Sequence, residues 1–223
     1  IEQIRFADGT TWSAAQIAAK VEAGTTNTMT GTIADNTHIV DDANDVVIEA
    51  ANAGNDTIQS SVSYALRPNV ERLALTGQVN ASAWANSSNA ISYLVGNDGN
   101  NTFNGAGSVL DANGVSYATG AGGTKAFAQM SGGKGNDTYY LDYALGGQVI
   151  ENANEGIDTV YGTWGGSYTL PANVEIYKDL GTGANRITES PDELIGNTLD
   201  NRIEVVYGSS LRYYIDGGAG ADT

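Results

Sequence analysis

Gly132-Gly133-Lys134-Gly135-Asn136-Asp137-Thr138-Tyr139-Tyr140 is the stretch on which the reading of the fold turns. It has the frame G-G-x-G-x-D-x-U-x, with U a large apolar residue. Glycines at these spacings let the backbone turn tightly with its carbonyls pointing inward. Asp137 then places a carboxylate at the end of the turn, and Thr138–Tyr140 supplies the residue types of a short strand. One such turn fills only part of the shell of about six to eight oxygens that calcium takes, so a stacked neighbour must supply the rest.

Candidate neighbours follow from the same pattern. Gly217-Gly218-Ala219-Gly220-Ala221-Asp222-Thr223 opens a second full frame. Gly54-Asn55-Asp56-Thr57-Ile58 and Gly156-Ile157-Asp158-Thr159-Val160 keep its second half. Asp137 and Asp158 are 21 residues apart, close to one turn of a rolled chain, and are expected on adjacent rungs. The candidate metal ligands, through carbonyl or carboxylate oxygen, are therefore Gly132, Gly133, Gly135 and Asp137, Gly156 and Asp158, Gly54 and Asp56, and Gly217, Gly218, Gly220 and Asp222. G-N-D-T also makes an ordinary side-chain-bonded turn, which is the competing reading for Asp56 and Asp158. In Gly96–Phe103, Asn97 replaces the second glycine and Asn101 the aspartate, so Asp98 is read as part of a plain turn. Asn197–Asn201 is similarly decayed, and no metal is expected there.

The frames sit inside longer repeats. Thr37–Gly54 matches Thr138–Gly156 with one inserted residue, and the segments from Gly54 and Gly156 match each other in turn. Leu94–Phe103 matches Leu194–Ile203, and Met130–Thr138 matches Ile215–Thr223. Four blocks recurring in one order define two copies of a unit of roughly 100 residues. The expected organisation is a capping segment at 1–24, a first unit at 25–135 and a second at 136–223 that stops within a third glycine-rich motif. The first unit carries an extra glycine-rich excursion near Ala106–Gly123, read as a surface loop. Because the chain opens at Ile1 and stops inside a frame, it is read as a segment of a longer protein.

Short runs rich in Val, Ile, Thr and Tyr, punctuated by Gly, Asn and Asp, give an all-β texture. The 29 Gly against three Pro indicate regular turns rather than a disordered linker. Residues 1–24 differ. IEQIRF alternates, Asp8-Gly9 signals a hairpin, and Thr10–Trp12 returns. Ser13 and Gln16 then form a capping box, with Ala14, Ile17, Ala18 and Val21 at helical spacing before Gly24.

Twenty-six acidic residues against ten basic ones leave a formal charge of −16. Such a chain repels nucleic acid and anionic membranes, and its compact state needs a counter-charge. No Cys and one His, His38, exclude thiolate and imidazole sites for zinc or copper. What remains is the oxygen ligand set of calcium or magnesium. No run of 18 apolar residues occurs, so no membrane span is expected.

On these motifs, residues 36–223 resemble the RTX, or haemolysin-type calcium-binding, repeat family, and IEQIRFADGTTWSAAQI resembles the small domain that often follows a β-roll in haemolysin-type proteins. The resemblance implies a parallel β-roll or β-solenoid-like repeat, with the short N-terminal hairpin plus helix attached. It also implies Ca2+-driven folding, export by a type I secretion system and an extracellular or cell-surface location, with flanking domains of the same parent chain as neighbours. The frames here are isolated rather than tandem.

Glu49 and Glu151 hold equivalent places in the two units, and a solvated face is the reading preferred over the alternative that they complete a site. The tyrosines concentrated in the second unit suit strands, or else an exposed row stacking on sugar rings, as in an adhesin or carbohydrate-binding module. No G-x-S-x-G, H-E-x-x-H, P-loop or EF-hand loop is present, and His38 is read as incidental rather than as a general base, so no enzyme activity is expected.

Overall fold

The computed structural model describes residues 3–5, 11–13, 25–86, 91–105, 109–110, 116–117, 127–142, 147–163, 167–179, 192–205 and 213–223. Described elements are all strands. Thr37–Val40, Thr57–Ser60, Arg72–Leu75, Ile91–Val95, Phe127–Ser131 and Gln148–Ile150 form a six-stranded sheet in chain order. Tyr64–Ala65, Ser82–Trp84, Thr102–Asn104, Thr138–Asp142, Thr159–Thr163, Ile176–Asp179 and Arg202–Glu204 form a seven-stranded one, also in chain order. Every pairing within these two sheets is parallel.

From Thr57 to Thr163 the two sheets receive successive strands alternately, interrupted only by the excursion after Asn104. Beyond that, Tyr168–Thr169, Asp192–Ile195 and Tyr213–Asp216 form a three-stranded parallel sheet that alternates with the last strands of the seven-stranded one. Parallel neighbours cannot be joined by a tight hairpin. Here the crossover between them is one strand of the opposite sheet with a turn on either side. The all-β, parallel expectation therefore holds.

Two antiparallel pairs stand apart. Gln3–Arg5 pairs with Thr11–Ser13, the hairpin expected around Asp8-Gly9. Val109–Leu110 pairs with Ser116–Tyr117 inside the glycine-rich excursion and lies beside Thr138–Asp142. The helix expected after Ser13 falls outside the described residues.

Alternation along each strand sends one side chain in two to the interior. In the six-stranded sheet, Ile58, Leu73, Leu94, Met130 and Val149 line up in register and are buried. In the seven-stranded sheet the matching inward row is Tyr64, Ala83, Phe103, Tyr139, Val160 and Tyr177. Both rows belong to a single core cluster. The Phe103 and Tyr139 rings stack with centroids 5.1 Å apart.

The two sequence copies do not occupy equivalent layers. Thr37–Val40 lies in the six-stranded sheet, whereas its repeat counterpart Thr138–Asp142 lies in the seven-stranded one. Arg72–Leu75 and Ile176–Asp179 are exchanged in the same way. A G-x-D-x-U half-frame thus encodes one turn and one strand, and serves on either side of the structure.

Leu94 is fully buried at the middle of the inward row. Leu94→Ala is expected to lower stability by about 2–5 kcal/mol in urea unfolding with calcium present. A loss below about 0.5 kcal/mol would show that the two sheets do not share this core.

Candidate metal centre

Each turn that enters a strand at an x-D-T-U sequence holds the preceding rung by a carboxylate-to-amide bond. Asp137 Oδ1 accepts from Asn101 N at 2.6 Å, and Asp158 Oδ1 accepts from Asp137 N at 2.8 Å. Asp158 N in turn donates to Glu175 Oε2 at 2.7 Å. The preceding residues bond the opposite way: Asn100 Oδ1 accepts from Asn136 N, and Asn136 Oδ1 accepts from Ile157 N. The Asn-Asp pair of the frame is thus a two-way clamp, with one side chain on the rung behind and the other on the rung ahead.

That clamp uses only one oxygen of each aspartate. Asp137 Oδ2 and Asp158 Oδ2 are buried with no hydrogen-bond partner, and so is Glu151 Oε2. The three residues converge, with one carboxylate oxygen from each lying within 4.8 Å of the others. All three are buried, at 1 %, 1 % and 7 % exposure for Asp137, Asp158 and Glu151. The other Glu151 oxygen accepts from the Tyr139 hydroxyl. Among the described residues, no Lys, Arg or His pairs with any of the three.

Glu151 follows strand Gln148–Ile150 as Gly132 follows Phe127–Ser131, one rung earlier, with Ser131 paired to Ile150. A Cβ at Gly132 would collide with Asp137 Oδ2, the Tyr139 hydroxyl and Glu151 Oε1. The first glycine of the frame is therefore the gap into which the neighbouring rung's glutamate reaches. Gly133 and Gly135 have φ of +89° and +110°, and Gly218 and Gly220 repeat this at +89° and +138°. Gly156 packs against the Gly135 carbonyl too closely for a side chain. The solvated-face reading of Glu151 is corrected: its carboxylate is drawn inward to the pair of aspartates.

Burial dominates the electrostatics. Loss of hydration pushes Asp137 up to about 7, Glu151 to about 8 and Asp158 to about 6. The backbone N–H bonds to the two aspartates and the Tyr139 bond to Glu151 oppose the rise, and neighbouring carboxylates add to it. Three buried, partly unpaired carboxylate oxygens in a space kept open by a glycine suit a hard divalent cation, with backbone carbonyls to complete its shell.

The first unit keeps the same framework with different chemistry. Asp56 Oδ1 accepts from Asn36 N, and Asp56 N donates to Glu71 Oε2, each at 2.7 Å. Asn69 and Asn173, both at positive φ, donate to the Glu49 and Glu151 carbonyls respectively. However, Asn36 stands where the second unit has Asp137, and His38 where it has Tyr139. His38 Nε2 lies 2.7 Å from Glu49 Oε1, and both residues are buried. One acid is lost and an imidazole is gained. Among the described residues only Asp137, Glu151 and Asp158 converge as a group.

The structure therefore brings Asp137 and Asp158 together, but not Asp56 or Gly54, whose turn enters the six-stranded sheet instead. Gly54 takes φ of +128° there. Asp222 Oδ1 accepts from Asn201 N at 2.8 Å, so its frame repeats the clamp, with Gly217 against the Asp222 carboxylate.

The decayed frames are satisfied in yet another way. Asn97 Nδ2 donates to the carbonyls of Thr76 and Val79, while its Oδ1 accepts from Gly99 N and Asn101 Nδ2. Asn197 does the same with Pro171, Val174 and Leu199. An amide NH2 there donates to inward carbonyls that would otherwise want a cation. Asp98 instead pairs with Lys134 at 3.0 Å on the surface.

Three comparisons bear on this arrangement. The profile of the haemolysin-type calcium binding protein related domain matches residues 1–16. The endo-1,3-1,4-beta-glycanase ExsH of Rhizobium meliloti (strain 1021) is 44% identical over 66 residues, 30% of this chain. That match spans 14% of the glycanase. No solved structure matches.

The sign of the acidity shifts gives a pH test. Between pH 4 and 8 the folded, cation-free protein holds more protons on these three groups than the unfolded chain. Its stability therefore falls as pH rises through that window. In EDTA the melting temperature is expected to drop from pH 5 to pH 8, and saturating calcium is expected to remove the drop. A cation-free melting temperature that rises over the same range would contradict the burial of these groups in their charged form.

Proposed function

We propose that this chain is a calcium-binding structural repeat module, a parallel β-roll within a larger secreted bacterial protein. It folds fully when exported from low intracellular calcium to millimolar calcium outside. The observation that carries the reading is the convergence of Asp137, Glu151 and Asp158 on a buried, uncompensated cluster of oxygens. The match of residues 1–16 to a haemolysin-type calcium-binding related domain supports it. So does the alternation of parallel strands between the six- and seven-stranded sheets from Thr57 to Thr163. Cation binding supplies folding free energy here, because the ligands come from two successive rungs that meet only when the chain is coiled. Export by a type I system and an extracellular location follow from this reading, and the segment itself carries no catalysis. The local likeness to a glycanase fits a module shared by proteins of differing activity.

Thermal unfolding followed by circular dichroism tests this. Calcium at a hundredfold excess over its dissociation constant is expected to stabilise the chain by about 2.7 kcal/mol relative to EDTA. Asp137→Ala and Glu151→Gln are expected to lose most of that increment. Lys134→Ala, whose partner Asp98 lies on the surface, keeps it. Identical melting curves in EDTA and in calcium would overturn the proposal.

A glycan-binding role through the second unit's tyrosines is the other reading, and the packing changes its footing. Tyr139, Tyr140 and Tyr177 are buried, Tyr161, Tyr168 and Tyr213 are half-buried, and among the described second-unit tyrosines Tyr214 alone is exposed. The other rings fill the core and its margins rather than forming an open platform.

A further inference from the structure

The outward face of the six-stranded sheet differs from the rest of the molecule. The alternation of burial along its strands identifies the outward residues. None of them is Asp or Glu, and only Arg72 is charged. In a chain of formal charge −16, this leaves the carboxylates to the turns and to the other layers, with an almost neutral strip between. The seven-stranded sheet offers no such strip, since its outward row includes Lys178, Arg202 and Glu204 joined in ion pairs.

The strip is also regular. Arg72, Tyr93, Gln129 and Gln148 occupy one register row on four successive strands. Gln129 Nε2 donates to Gln148 Oε1 at 2.8 Å, so the amide planes follow one another from rung to rung. Ile91 and Phe127, paired beside this row, are 43 % and 39 % exposed. One planar or ring-bearing side chain is thus presented about every 4.8 Å along the stack. Each amide offers both a donor and an acceptor.

We propose that this face binds a neutral polysaccharide lying across the strands. A surface that repeats along one axis matches a polymer that repeats along its own, with a rise per sugar comparable to the strand spacing. Amides and the Arg72 guanidinium can bond hydroxyl groups without needing charge on the ligand, and the Tyr93 and Phe127 rings offer faces for the apolar side of a sugar. The absence of carboxylates removes the hydration cost that covering acidic rows would impose. The proposal takes up the glycan reading but moves it to a different face, and it rests on the calcium reading only in that the sheet must be folded.

Affinity electrophoresis of the calcium-saturated chain tests it, with gels containing a dissolved neutral β-glucan or polygalacturonate. Retardation is expected in the neutral gel and not in the anionic one. Tyr93→Ala/Gln129→Ala is expected to weaken the glucan interaction at least about tenfold, roughly 1.4 kcal/mol. The same variant should keep the wild-type circular dichroism spectrum and calcium affinity. No retardation in the neutral gel, equal retardation in both gels, or unchanged retardation of the variant would overturn the proposal. So would sedimentation showing a dimer that the double substitution dissolves, because a second copy would then cover the face. Wild-type calcium affinity alongside absent glucan binding would reject this inference and leave the calcium module standing.

Discussion

Three carboxylates from two adjacent rungs are held out of water, each with an oxygen that none of the described residues satisfies. Burying one such charge costs several kcal/mol, and burying three in one place is unfavourable unless protons or a cation enter with them. The surrounding architecture serves this arrangement. Parallel stacking brings Asp137 and Asp158 into line, and the bare backbone at Gly132 admits Glu151. The aspartate-to-amide bonds leave one oxygen of each aspartate facing inward. Because the ligands are contributed by separate turns, the cluster exists only in the coiled chain, and whatever neutralises it also holds the coil together.

The same turn carries different chemistry elsewhere. In the first unit the His38 imidazole lies against Glu49, and Asn36 removes one acid from the set. At Asn97 and Asn197 a side-chain amide bonds the inward carbonyls of the neighbouring rung. These substitutions look like decay of a calcium motif, yet the two amides supply a partner for carbonyls that would otherwise be stranded, while Glu49 Oε2 and Asp56 Oδ2 stay buried without one. A repeat chain that mixes such turns keeps a rung geometry common to all of them while confining cation dependence to a few places.

Much of this was legible from residue order alone. The glycine frame announced Gly133 and Gly135, whose positive φ is what the motif requires. The 21-residue spacing correctly placed Asp137 and Asp158 on neighbouring rungs. Glu151 was visible as a repeat position but was read as solvated, since its burial depends on Gly132 of a different rung, a relation that appears only once Ser131 and Ile150 are paired. The Asn-Val-Glu triplets at 69–71 and 173–175 recur in both copies, and that recurrence was the available signal for the ends of the carboxylate rails. Asp56 was grouped with Asp137 because sequence similarity carries no information about layer. The two copies sit half a turn out of step, so equal motifs open onto different sheets.

On our proposal the second unit binds calcium at Asp137, Glu151 and Asp158, while the equivalent place in the first unit does not. Terbium emission excited through tyrosine reads this directly, since Tyr139 touches Glu151. Emission is expected that calcium displaces, that Glu151→Gln abolishes and that Glu49→Gln leaves unchanged. Emission that survives Glu151→Gln, or that is lost equally with Glu49→Gln, would contradict it.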